Sequence, residues 1–411
     1  MSRPSSVASP RINRLLQALQ LGKQEELEAF WCEVAQRGTP LVEDIAGSEQ
    51  HVLVTFLWRA SDETENVVVI GQLGSGQDFA ENCMCRLLNT DLWYKTYQLR
   101  SDLRAAYSLS PNDSLIPYHA VEDWLERTAT WQPDPLNPNS IDVPEQPKPL
   151  STFELPDAPP QPWRFARADV PAGHIEESRF YSKILNNERT VWTYTPPGYG
   201  TNQEPYSLLV LFDGAAYLHV MDAPTTLDNL FADRQIPPLV AVLIDNVDFA
   251  TRAVELTCHP PFAAFVTQEL IPWVQQHYHV ETDPSRAIVA GFSFGGLAAT
   301  FIGLTHSAVF GNILSQSGSF WWKPQESQEH EWLTRQFTLE ERHPLRIYLD
   351  VGLLETEATH GNGPSMVVVN RHMRNVLESK GYPVDYNEYA GGHDYQYWRG
   401  SLADGLIALM G

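Results

Sequence analysis

Cysteine is scarce: the chain of 411 residues holds four, Cys32, Cys83, Cys85 and Cys258. They form neither a disulfide framework nor the paired CxxC units of a zinc site, so a reducing cytoplasm is the expected setting, with no protein-bound metal or other cofactor. Positive charge is scarce as well, with 28 Lys and Arg against 51 Asp and Glu and a formal net charge of -23. Such a surface repels phosphate backbones and anionic lipid, which excludes nucleic acid and membrane as expected partners. No segment approaches the roughly 18 apolar residues of a membrane span. The opening MSRPSSVASPRINRLLQAL carries arginines but no continuous apolar core of signal length. No repeat of fixed period is evident.

Proline, in contrast, is plentiful and unevenly placed. QPDPLNPNSIDVPEQPKPL and FELPDAPPQPW crowd it into one region, where it opposes helices and central strands. This predicts a linker over 141–164 between an N-terminal domain, 1–140, and a catalytic domain, 165–411, an organisation the length also favours. Before the linker, KQEELEAFWCEVAQRG sets Leu27, Phe30, Trp31 and Val34 on one helical face, with Gly38 as a stop. HVLVTFLWRA, ENVVVIG, WYKTYQL and AAYSLSP follow as short strands, which predicts a leading helix and a β-sandwich. After the linker, RTVWTYTPP, YSLLVLFDG, LVAVLIDN, RAIVAGFS, NILSQSG and RIYLDVG read as strands, several almost wholly apolar, separated by helical stretches. That alternation predicts an α/β domain with a mainly parallel sheet covered on both faces.

Within it, AIVA leads into GFSFGG and then LAATFIGL. A strand, a reactive residue flanked at two positions on either side by Gly291 and Gly295, and a helix form the nucleophile elbow of an α/β hydrolase. The helix beginning after Ser293 turns N–H groups toward a developing oxyanion, which favours acyl transfer. A serine needs a base, and in this fold the acid and then the histidine follow it in the chain. His393, in YAGGHDYQYW, is the chosen base; His360 is held in reserve, and His372 reads as structural. For the acid, RIYLDVGLLETE offers Asp350, Glu355 and Glu357. Glu355 is chosen because it lies beyond Gly352 in a loop, whereas Asp350 falls inside the strand. The oxyanion donors are expected to be the N–H of Phe294 and that of Gly214 or Ala215, after LFDG.

AGFSFGGLAATFIGLTHSAVFGNILSQSGSFWW, with LFDG, NVDFATRAVEL and GGHDYQYWRG, resembles the enterochelin (ferric enterobactin) esterases, a branch of the esterase D-like α/β hydrolases. The resemblance continues before the linker, in WYKTYQLRSDLRAAYSLSP and DPLNP, and so covers nearly the whole chain. It implies cytoplasmic hydrolysis of the triserine lactone of a tris-catecholate siderophore, with iron arriving on the substrate. It also implies Ser293, His393 and Glu355 as the triad, and it places the family's TRxxEL arginine on Arg252. Arg252 then has two readings, contact with the ligand or pairing with Glu255. Trp321 and Trp322 offer flat faces for catechol rings. A strongly anionic substrate and a chain of charge -23 repel each other at long range. The reading therefore requires local cations, expected in Arg252, Lys323 and Arg399.

Two other functions compete with it. One is a feruloyl or acetyl esterase whose N-terminal domain binds sugar through Trp93, Tyr94 and Tyr97. The other is a siderophore-binding protein that has lost catalysis, which the presence of Ser293, His393 and an acid opposes.

Overall fold

The computed structural model describes residues 8–61, 63–73, 81–116, 121–143, 147–201, 204–359 and 362–411. By their contacts these fall into two compact units, one running to Pro159 and including Ala390–Gln396, the other comprising Pro160–Tyr389 and Tyr397–Gly411.

In the first unit, two helices precede the sheets. Ser9 caps α1 (Pro10–Gln20) by accepting from the Ile12 N–H at 3.1 Å, and Pro10 takes the first helical position, where its missing N–H costs nothing. Helix α2 (Glu25–Arg37) ends at Gly38, which adopts φ 79°. Ile12, Leu15 and Leu19 of α1 pack with Phe30, Trp31 and Val34 of α2. The sequence reading anticipated α2 and its buried face but not α1. Strands β1 (Leu41–Asp44), β2 (His51–Arg59), β3 (Val67–Ile70), β4 (Cys85–Arg86), β5 (Leu92–Arg100), β6 (Arg104–Pro111), β7 (Ser140–Ile141) and β8 (Leu150–Glu154) form two four-stranded antiparallel sheets. Their orders are β1-β2-β5-β4 and β3-β6-β8-β7, with the short helix α3 (Trp124–Thr128) between β6 and β7. The Phe56 ring of β2 meets Tyr107 of β6 at 4.7 Å and Phe153 of β8 at 5.7 Å, which is the core of the sandwich. Part of the stretch read as linker is thus sheet: β8 pairs with β6 from Arg104↔Glu154 to Tyr107↔Ser151.

The aromatic sugar platform is not formed. Tyr97 is buried, with its hydroxyl donating to Asn82 at 2.7 Å, and Tyr94 packs against the helix pair. Successive strand residues face opposite sides, so Trp93 and Tyr94 cannot share one surface.

The second unit is built on eight strands: β9 (His174–Ser182), β10 (Asn187–Thr195), β11 (Ser207–Phe212), β12 (Leu239–Ile244), β13 (Ala287–Phe292), β14 (Asn312–Gln316), β15 (Arg346–Gly352) and β16 (Val384–Tyr389). Their order is β16-β15-β14-β13-β11-β12-β10-β9, antiparallel at β9 and β10 and parallel elsewhere. Every residue of β11, β12 and β13 is buried, as the near-continuous apolar runs predicted. Around the sheet lie α4 (Ala223–Ala232), α5 (Phe249–Glu255), α6 (Pro260–Ala264), α7 (Ile271–His277), α8 (Phe294–Thr305), α9 (Trp332–Leu339), α10 (Met366–Ser379) and α11 (Tyr395–Met410). The parallel strands all point one way, so the segments leaving β11, β12, β13, β14 and β15 emerge along one edge. That edge is where open α/β sheets bind ligands. Among the described residues, no helix is long and apolar enough to cross a membrane.

Candidate active site

Ser293 stands between β13 and α8 with φ 55° and ψ −121°, a conformation that costs a non-glycine residue about 1–3 kcal/mol and must be held by its surroundings. Three backbone hydrogen bonds hold it. Its N–H donates to the Gln316 carbonyl at 2.9 Å, and its own carbonyl accepts from Ser319 at 3.0 Å and Leu297 at 3.1 Å. The turn is tight because Gly291 has no side chain: a Cβ there would lie 2.5 Å from the Gly295 carbonyl carbon. Ser293 is left half-buried, its Oγ 3.5 Å from the Ser319 hydroxyl, at the start of a helix whose first-turn N–H groups are unpaired within the helix.

Phe294 opens that helix. Its ring lies 5.6 Å from the Arg252 guanidinium and 5.8 Å from Trp321. The loop after β11, the expected source of the second oxyanion donor, begins at Asp213 with φ 57° and enters a π-helical turn at Ala216–Val220. Gly214 fits against β12, since a Cβ would sit 2.8 Å from the Leu243 backbone. Asp245, half-buried just after β12, has its pKa raised chiefly by burial, with the Asn246 and Ala215 backbone N–H groups opposing the shift.

The residues expected to supply the acid lie on and just beyond β15. Glu355 is 2% exposed, and its Oε1 accepts from the Ser317 hydroxyl at 2.6 Å and the Gly352 N–H at 2.8 Å. Ser317 stands two residues before Ser319, so one loop contacts both Ser293 and Glu355. Ser317 also meets the Tyr389 hydroxyl at 3.0 Å and accepts from Trp398 Nε1 at 3.2 Å. Neither serine was singled out from the sequence, although both lie in the quoted SQSGSFWW, because a hydroxyl that holds a carboxylate has no spacing signature.

Asp350 is wholly buried within β15, and neither carboxylate oxygen has a hydrogen-bond partner of ordinary geometry. Burial pushes its pKa up to about 8; the nearby Ser401 hydroxyl offsets this in part, and the Glu355 charge adds to it. The ordinary value is about 4. Between these values the folded chain binds the proton that the unfolded chain has released, so this group makes stability fall as pH rises from about 4 to about 8. Asp350→Asn should lack that term. Its Tm relative to wild type is expected to climb through this window in pH-dependent thermal denaturation; a difference constant with pH would mean that Asp350 is ionised throughout.

His393 is exposed, on the Ala390–Gln396 segment that groups with the first unit, and its backbone N–H donates to Gln72 Oε1 at 2.6 Å. His372 pairs with Glu331 at 2.5 Å on α10. His360 lies outside the described residues, and Glu357 is a half-buried loop residue. Arg252 does not pair with Glu255. Its Nε and Nη2 meet the two carboxylate oxygens of Asp213 at 2.5 and 2.9 Å, while Glu255 is taken by Arg189 at 2.7 and 2.8 Å and Asn187 at 3.1 Å. Trp321 packs beside Phe294, whereas Trp322 meets Trp332 of α9 edge-on at 6.0 Å. Each of the three cations expected at the site has a hydrogen-bond partner, Arg252 in Asp213. Lys323 Nζ folds onto the Ser327 carbonyl at 2.8 Å, and Arg399 Nε donates to Gln161 at 3.3 Å on α11. The Asp213 carboxylate, beside the elbow helix, is not bare, since it carries Arg252.

Sheet, elbow and the loop after β11 together define an α/β hydrolase of the esterase type. The family model described as a putative esterase matches residues 182–409, and that of the enterochelin esterase N-terminal domain matches residues 53–164. The chain belongs to the enterochelin esterase family. It is similar to the iron(III) enterobactin esterase of Escherichia coli O6:H1 (strain CFT073), at 34% identity covering 87% of this chain and 90% of that protein. It is also similar to the iron(III) enterobactin esterase of Dickeya dadantii, at 31% identity covering 99% and 97%. Among solved structures, the ferric enterobactin esterase of Salmonella typhimurium superposes with a TM-score of 0.78 at 30% identity, covering 93% of this chain and 98% of that one.

Proposed function

We propose that this protein is a cytoplasmic serine esterase that opens the trilactone of a ferric catecholate siderophore and so aids release of the iron. Ser293 Oγ attacks an ester carbonyl while His393 takes its proton, and Glu355 orients and charge-balances the imidazolium. The carbonyl oxygen becomes an oxyanion held by the N–H of Phe294 and that of Gly214 or Ala215. Collapse expels the seryl alkoxide of the lactone, which His393 protonates, leaving the acyl group on Ser293. Water activated by His393 then releases it. The observation that carries this reading is the strained Ser293 at the head of α8 in a chain whose relatives over nearly their full length are enterobactin esterases. An iron(III) salmochelin esterase of Escherichia coli O6:H1, 28% identical over 99% of this chain, supports extending the substrate class to modified catecholates.

The aromatic pair Phe294 and Trp321 supplies flat surface beside the nucleophile for a catechol ring. Comparing kcat/KM for the ferric trilactone with that for a feruloyl sugar ester tests the assignment. The trilactone is expected to be favoured by about 100-fold or more, the discrimination available when several polar and aromatic contacts distinguish substrates. Equal values, or preference for the sugar ester, would overturn it.

A further inference from the structure

We propose that Asp213, Arg252 and Asn246 form a clamp that positions the oxyanion loop against the elbow, so that Arg252 serves catalysis through Asp213. Asp213 is the first residue after β11 and lies directly before Gly214. It is 4% exposed and holds φ 57°, so both its charge and its backbone need outside support. The support is specific. The Arg252 fork grips both carboxylate oxygens, at 2.5 and 2.9 Å, and Asn246 Nδ2 donates to Oδ1 at 2.6 Å. Such a two-point contact fixes orientation as well as distance, which a lysine cannot reproduce.

The clamp ties together segments that the chain keeps apart. Asp213 leaves β11, Asn246 leaves β12, and Arg252 rides on α5, whose start is fixed by Asp248 accepting from the Thr251 N–H at 2.7 Å. On the far side, the Asp213 carboxylate abuts the elbow helix: a Cβ on Gly295 would be 3.0 Å from its Oδ2. The guanidinium also lies 5.6 Å from the Phe294 ring centroid. One carboxylate therefore registers the loop carrying Gly214 against the helix carrying Phe294, the two expected donors. Oxyanion donors act only when placed to a fraction of an ångström. The same pairing neutralises Arg252 with Asp213, which leaves its charge a lesser attraction for an anionic ligand.

The inference rests on Ser293 being the nucleophile of an esterase, and not on the siderophore. Its test is steady-state kinetics of Arg252→Lys and Asn246→Ala on two substrates, the neutral p-nitrophenyl acetate and the anionic ferric trilactone, with thermal denaturation to verify folding. A positioning role predicts that Arg252→Lys lowers kcat about 10- to 100-fold by a similar factor on both esters, with KM little changed. Asn246→Ala should do the same by a smaller factor. If Arg252→Lys does not fold, Asn246→Ala decides the matter alone. An unchanged kcat on the neutral ester, or a loss confined to KM for the anionic one, would overturn the clamp. Should wild type leave the ferric trilactone intact, the siderophore reading falls while the neutral ester still decides the clamp.

Discussion

Ser293→Ala is expected to lower kcat by roughly 10³- to 10⁶-fold on every ester the protein cleaves, because removing a serine nucleophile leaves only the contribution of oxyanion donors and binding. The fold should survive. The Ser293 hydroxyl has only a 3.5 Å approach to Ser319, while the contacts holding the turn are made by its backbone N–H and carbonyl. Alanine at φ 55° bears the same strain as serine, so the change in Tm should be small. Steady-state assays paired with thermal denaturation separate the two quantities. Activity within tenfold of wild type would remove Ser293 from the mechanism, whatever the family.

Gly291→Ala is expected to injure both activity and stability, although it adds one methyl group and touches no reacting atom. The new Cβ would lie 2.5 Å from the carbonyl carbon, 2.6 Å from the oxygen and 2.8 Å from the Cα of Gly295. These are backbone atoms in the first turn of α8, while Gly291 itself is held by the β13–β14 pairing that runs Gly291↔Ser315 and Phe292↔Gln316. No side chain can swing aside. Relief requires lifting the start of α8 off the strand, which moves Ser293 and the Phe294 N–H together. Overpacking of this kind costs about 1–3 kcal/mol, and a displacement of about 1 Å at a reacting centre costs on the order of 100-fold in rate. The result to look for is a lowered Tm with kcat reduced by about that factor; wild-type kcat would mean that the elbow tolerates a looser turn than its geometry implies.

The catalytic unit was legible because its strands are buried on both faces and so write themselves as apolar runs. LLVLF, LVAVLI and AIVAGF needed no periodicity to be recognised. The antiparallel β9, HIEESRFYS, was missed, because an edge strand facing water keeps charged residues on one side and carries no such run. Prolines misled in a different way. They correctly marked a break in composition, yet LSTFE between them still finds a partner in β6, a long-range pairing that no local signal announces.

Helix α1 is marked in outline by Ser9 and Pro10 ahead of an Ile12, Leu15, Leu19 spacing, a short signal set among arginines and serines. At the site, Ser293 was marked by its glycine-flanked turn between strand and helix, and the loop Glu355 was preferred to the strand Asp350 by its position in the chain. The partner of Arg252 had no such local signal. Sequence offered Glu255, its neighbour one turn on, but that side chain is claimed by Arg189 from β10, and the arginine crosses instead to Asp213, 39 positions earlier. Pairing of charges is decided by the sheet, after the strands have set which loops meet.

The role proposed for Ser293 is to open a catecholate trilactone. Chromatography of the ferric trilactone incubated with the wild-type protein tests it most directly. Ring opening followed by shorter catechol-serine fragments in sequence is expected, all absent with Ser293→Ala. A trilactone left intact by wild-type protein that hydrolyses p-nitrophenyl acetate in the same tube would contradict it.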